Sequence, residues 1–173
     1  MGKGLIILNT GNGKGKTTSA LGQIFRALGH NWKICMIQFI KRKENLGETK
    51  TAKKFSKQLE FHFKGKGYIF SSKDKPKHIK SAKDAWKFAK EKIFSDKYDL
   101  IVLDELTYLI KYKFIEENEI ISVLKNKPER LHIIITGRYA SKGLIETADL
   151  VSKIYNIKHP FQKGIKAQKG IEY

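Results

Sequence analysis

The sequence predicts an α/β fold, a three-layer sandwich with a mostly parallel central sheet, and three observations predict it. Short apolar runs recur at residues 4–8, 34–40, 100–103 and 131–135, as strands buried on both faces require. Segments with a helical apolar period separate several of these runs. A glycine cluster follows the first run and opens the first helix. A chain of 173 residues that is 40% hydrophobic can bury one sizeable core and is short for two, so residues 1–173 are read as a single domain.

Each element has its own signal. Residues 4–8 form a buried strand that gives way to Asn9, Thr10 and the glycines. Ala20, Leu21, Ile24, Phe25 and Leu28 predict a helix over 17–28, stopped at Gly29. Residues 34–40 read as the second strand and 59–63, alternating Leu59, Phe61 and Phe63, as the third; the lysine-rich stretch 41–57 between them reads as loop and surface helix. Residues 65–77 carry Gly, Ser, Lys and Pro76 with aromatics among them, a composition that suits a long loop over a site. Ile79, Ala82, Ala85, Trp86, Ala89 and Ile93 mark a helix, with Trp86 in the core. Residues 100–103 are a fully apolar strand ending in Asp104 and Glu105. Ile120, Ile121 and Leu124 mark a helix stopped before Pro128, and residues 131–135 form another buried strand ending at Thr136, Gly137 and Arg138. The stretch 158–173 is basic, contains glycine, lacks a strong period and is suited to wrapping back over the site.

Composition narrows the function classes. No run approaches the roughly 18 apolar residues of a spanning helix. The first ten residues read as a glycine-flanked strand instead of an export signal, so a cytoplasmic protein without a membrane partner is expected. Cys35 is the single cysteine, which excludes an internal disulfide and a multi-thiolate zinc site; its apolar neighbours make it a core residue. The net charge of +18 admits any polyanion. Only four of the 35 basic residues are arginines, however, and the lysines run along the whole chain, so the charge reads as a solvated surface and nucleic acid is not the expected partner.

Residues Thr10, Gly11, Asn12, Gly13, Lys14, Gly15, Lys16 and Thr17 match the phosphate-loop pattern G-x-x-x-x-G-K-[ST] except at the first position, where Thr10 stands for glycine. Backbone N–H groups of such a loop converge on phosphate oxygens at a helix N-terminus, Lys16 neutralises phosphate charge and the Thr17 hydroxyl ligates Mg2+. The strand before it and the helix after it supply the required context, which makes the fold P-loop NTPase-like (RecA-like) and ATP the expected ligand. Asp104 and Glu105, two acids ending a buried strand, are the second metal site, one or both binding magnesium directly or through water. Arg26, on the helix after the loop, and Arg138 are candidates for phosphate contact. These groups serve ATPases, kinases and group transferases alike, so the reaction stays open at this point.

In Thr10 to Thr18, Gln38-Phe-Ile-Lys41, Val102-Leu-Asp-Glu-Leu-Thr-Tyr108, Ile134-Ile-Thr-Gly-Arg138 and Lys166-Ala-Gln-Lys-Gly-Ile-Glu-Tyr173, the chain resembles the P-loop ATP:corrinoid adenosyltransferases of cobalamin assembly. The resemblance implies that the Co(I) centre of a corrinoid, cobalamin or a precursor, attacks C5′ of ATP and releases tripolyphosphate, with the phosphates reversed relative to other P-loop proteins. No general base is implied; orientation, exclusion of water and charge stabilisation on the leaving group suffice. It implies that residues 11–18 hold the triphosphate, that Arg26 supports it, and that Thr17 with Glu105 binds magnesium, with Asp104 second. It also implies that Tyr68 and Phe70, where the better-known pattern has Phe and Trp, help displace the lower corrinoid ligand. A reductase such as a flavoprotein and a homodimer are the implied partners. The chain opens almost directly with its first strand, without the N-terminal extension some relatives use, so closure over the corrinoid is expected to be weaker or to fall to the C-terminal segment. Two other readings compete: a nucleic-acid-dependent ATPase with Asp104 and Glu105 as metal ligand and base, and a non-catalytic corrinoid carrier.

Overall fold

A computed structural model describes residues 2–40, 46–65 and 75–172. Six strands, β1 (Ile6–Thr10), β2 (Ile34–Gln38), β3 (Leu59–Phe63), β4 (Leu100–Asp104), β5 (His132–Thr136) and β6 (Leu150–Lys153), form one sheet in the order β3-β2-β4-β5-β1-β6. Every pairing is parallel, a stronger result than the mostly parallel sheet expected. Side chains alternate across the strands, and each face has its own core. Ile34, Met36, Leu100, Val102 and Ile134 pack against α1 (Lys16–Leu28) and α2 (Gly47–Lys54) through Ala20, Ile24, Ala27 and Ala52. Cys35, Ile37, Ile101, Leu103, Ile133 and Ile135 face the other way. They meet α3 (Lys75–Phe94), α4 (Thr107–Lys111), α5 (Glu117–Lys125) and α6 (Lys142–Thr147), which contribute Trp86, Leu109, Ile120 and Leu144. These are the three layers of the P-loop α/β fold, and no helix among the described residues is long and apolar enough to cross a membrane.

Several boundaries shift. β1 runs to Thr10 because Thr10 still accepts from Ile154 N, at 2.8 Å, on β6's flank. β2 ends at Gln38, not at residue 40, and the bond from Phe39 N to Asp104 O, at 3.1 Å, is the last rung of its ladder with β4. α3 already includes residues 75–77, which composition assigned to the loop: Pro76 sits in the first turn, where its missing N–H costs nothing. Trp86 is 1% exposed and donates Nε1 to Glu119 Oε1 at 2.8 Å, so the expected core residue also satisfies its one donor. Cys35 is fully buried, and burial pushes its thiol up to about 12.

Candidate active site

Open parallel sheets place ligands at the carboxyl ends of their strands. Here those ends carry a row of polar groups: Gln38 lies opposite Asp104 across β2–β4, and Asn9 opposite Thr136 across β1–β5. All four are buried. Asp104 has no solvent exposure, and its carboxylate accepts from donors on three elements. Oδ1 accepts from Thr17 Oγ1 at 2.9 Å and from Thr136 Oγ1 at 2.6 Å; Oδ2 accepts from Gln38 Nε2 at 2.9 Å. Gln38 Oε1 is a buried acceptor with no hydrogen-bond partner among the described residues.

The loop over this row is set by close packing. Gly13 N donates to Ile154 O at 2.9 Å, and a Cβ on Gly13 would lie 2.5 Å from Tyr155 O. A side chain there would drive the loop off the segment that follows β6. Gly15 then caps α1 with φ 116, and Lys16 and Thr17 begin the helix. Lys16 Nζ donates to Gly13 O at 2.5 Å, folding the ammonium back over the loop. Burial lowers its pKa, the positive charge of Arg138 lowers it further, and Glu105 and Asp104 offset part of both. Lys16, Arg138, Glu105 and Asp104 therefore share one electrostatic neighbourhood. The Arg138 side chain is exposed, while its carbonyl accepts from Thr107 Oγ1 at 2.5 Å. A Cβ on Gly137 would lie 2.0 Å from that hydroxyl, so the turn ending β5 can pack here only as glycine.

Glu105 behaves differently from its neighbour. Its backbone is left-handed at φ 65, a conformation that costs a non-glycine residue on the order of 1 kcal/mol, and its N–H donates to Thr136 Oγ1 at 2.9 Å. Burial raises the Tyr108 pKa, and the nearby Glu105 charge adds to it.

The predicted residues thus divide. The structure brings Lys16, Thr17, Asp104, Glu105 and Arg138 to one end of the sheet, with Thr10, Gly11, Asn12, Gly13, Lys14, Gly15 and Thr18 in or beside the loop. Asp104, the second choice for magnesium, is the acid that touches Thr17. Arg26 is not brought in: it lies in the last turn of α1, about 14 Å along the axis from Thr17, exposed, with Nη1 on Gln23 Oε1 at 3.5 Å. Tyr68, Phe70 and Lys41 lie outside the described residues. Gln38 and Thr136 were not singled out as site residues. Their signal was a polar residue terminating an otherwise apolar strand at the level of Asp104.

The profile of the family described as "ATP:corrinoid adenosyltransferase BtuR/CobO/CobP" matches residues 2–173. The chain belongs to this family. Its corrinoid adenosyltransferase relatives include one from Sinorhizobium sp, 41% identical over 99% of this chain and 81% of the relative. Another, from Pseudomonas aeruginosa, is 37% identical over 99% of this chain and 84% of its own length. The corrinoid adenosyltransferase of Escherichia coli K12 is 36% identical, covering 99% and 86%. Among solved structures, the flagellar accessory protein FlaH from Methanocaldococcus jannaschii has the same fold, with TM-score 0.57 at 13% identity over 88% of this chain and 72% of that one. The protein is therefore an enzyme of the corrinoid adenosyltransferase family, with a corrinoid and ATP as its substrates.

Proposed function

We propose that the chain transfers the 5′-deoxyadenosyl group of ATP to the Co(I) centre of a corrinoid and releases tripolyphosphate. The lone pair of the reduced cobalt forms the Co–C5′ bond, the C5′–O bond breaks, and its electrons leave on the triphosphate. The observation that carries this reading is the contact between Thr17 and Asp104. It joins a phosphate loop to a buried carboxylate in a chain whose family resemblance extends through residues 166–173.

The residues at that contact fit magnesium. Thr17, Asp104 and Thr136 offer hard oxygens, and the unpartnered Gln38 Oε1 is an acceptor that a metal-bound water would satisfy. Bound there, the ion would neutralise charge on the departing triphosphate. The protein's own groups do the rest. Loop N–H groups and the α1 N-terminus hold phosphate oxygens, Lys16 adds a charge, and Asp104 fixes the Thr17 hydroxyl. Arg138, near enough to shift Lys16, supplies a second cation on the solvent side. Such a reaction needs orientation and charge stabilisation more than proton transfer.

A flavoprotein electron donor and a homodimer belong to the same proposal, on the family resemblance alone. The test combines the protein with ATP, Mg2+ and a chemically reduced corrinoid under anaerobic conditions. A photolabile adenosylcorrinoid that fails to form with Lys16→Ala is the expected result. Binding of both substrates without that product would leave a corrinoid carrier, and ATP hydrolysis stimulated by DNA or RNA would favour an ATPase.

A further inference from the structure

We infer that Glu172 is a positioning residue that holds Lys14 of the phosphate loop, so that arriving triphosphate must displace the segment carrying Glu172. This rests on the loop being the nucleotide site. Lys14 and Glu172 form an ion pair between the loop and the basic segment that follows β6. That segment leaves the loop at Ile154 and Tyr155, whose carbonyls pack on Gly11 and Gly13. It passes through a 3-10 turn at Pro160–Lys163 capped by His159 and returns to place Glu172 on Lys14.

Among the described residues little else ties the returning part down. Ile157, Phe161 and Ile171 are 86%, 79% and 76% exposed, so their apolar side chains do not anchor it to the core. Gly170, at φ 83, gives the backbone beside Glu172 a turn that other residues adopt poorly. Glu172 itself is 19% exposed and Lys14 45%, so the pair is partly screened and breakable. A carboxylate at this place opposes the anion the loop is built to hold, both by repulsion and by competing for the Lys14 ammonium. The arrangement is stable only until a more highly charged anion arrives. The segment is then released from the loop at the moment the site fills.

The experiment measures inorganic tripolyphosphate and Mg-ATP binding to the full chain by calorimetry. Glu172→Gln is expected to bind tripolyphosphate about two- to fivefold more tightly than the native chain, the range an exposed ion pair spans. Lys14→Gln is expected to bind it more weakly, and the gain from Glu172→Gln is expected to vanish in the Lys14→Gln background. Glu172→Asp, which keeps the charge, should stay close to native and guards against a folding artefact. Tripolyphosphate should also accelerate tryptic cleavage at Lys166 and Lys169 in the native chain, whereas Glu172→Gln should be cut quickly without it. Unchanged or weaker binding by Glu172→Gln, or an equal gain with Lys14 already replaced, overturns the clasp and leaves the nucleotide site standing. Absence of tripolyphosphate and Mg-ATP binding in both the native chain and Glu172→Gln overturns the site itself, and the clasp with it.

Discussion

A carboxylate shut away from water is costly unless donors meet its lone pairs, and Asp104 meets Thr17, Thr136 and Gln38. The same group aligns the hydroxyl on which the magnesium proposal depends. Asp104→Asn should therefore weaken Mg-ATP binding about 10- to 100-fold and more than Glu105→Gln does, as magnesium titrations at fixed ATP would show. Lys16 has a pH signature. The proposed phosphate contact requires its ammonium, and burial together with Arg138 makes that ammonium lose its proton below the ordinary 10.5. Triphosphate affinity should decline on the alkaline side before 10.5, and Lys16→Arg should flatten the decline. Dissociation constants measured from neutral pH to about 10 check the sign. Asp104, Lys16 and Thr17 were legible in the sequence because a glycine loop and a strand-ending acid carry their own patterns. The priority of Asp104 over Glu105 at Thr17 was not, since it depends on which of two adjacent residues leaves the strand pointing back at α1.

At the scale of elements, strands β2, β4 and β5, apolar through their middles, and the glycine-punctuated β1–loop–α1 unit were readable, because burial on both faces leaves no polar alternation to mislead. β6 was not. Its four residues are all exposed and mix Leu and Val with Ser and Lys, so no apolar run announces them; pairing with β1 makes the strand. α4 and α6, of five and six residues, are too short to establish a period, and Ser141 capping Leu144 N is the single local signal for α6. The opposite edge of the sheet holds a test of stability. Cys35, Glu60 and His62 bring potential metal-ligand atoms within 4.8 Å of one another. The cation actually there is Lys92, whose Nζ lies 2.6 Å from Glu60 Oε2 and 2.9 Å from Tyr98 Oη. Burial would push the Glu60 carboxyl up, but hydrogen bonds from Lys92 and His62 outweigh it and hold the group at about 2. A lowered carboxylate pKa stabilises the fold above its ordinary 4.5, and that contribution fades as the pH falls from 4.5 toward about 2. Glu60→Gln should lower the melting temperature at neutral pH and show a smaller further loss across this acid range.

For the whole molecule, the charge of +18 and the sheet's carboxyl-end row act on different length scales. Dispersed lysines draw any polyanion toward the surface and are screened by salt; in the proposed site the loop, Lys16 and the buried oxygens would select one with a linear triphosphate. That separation is why composition alone admitted nucleic acid and the site does not require it. Residues 154–172 connect the two scales, since their backbone packs on the loop at Gly13 and their Glu172 reaches Lys14. The sequence suggested that this basic stretch returns over the site, and the ion pair is how it does so. The claim at the centre of the account is that C5′ of ATP, not its γ-phosphorus, is the electrophile. Phosphorus NMR of a complete turnover with reduced corrinoid tests this most directly: stoichiometric inorganic tripolyphosphate is the predicted product, and ADP with orthophosphate would contradict it.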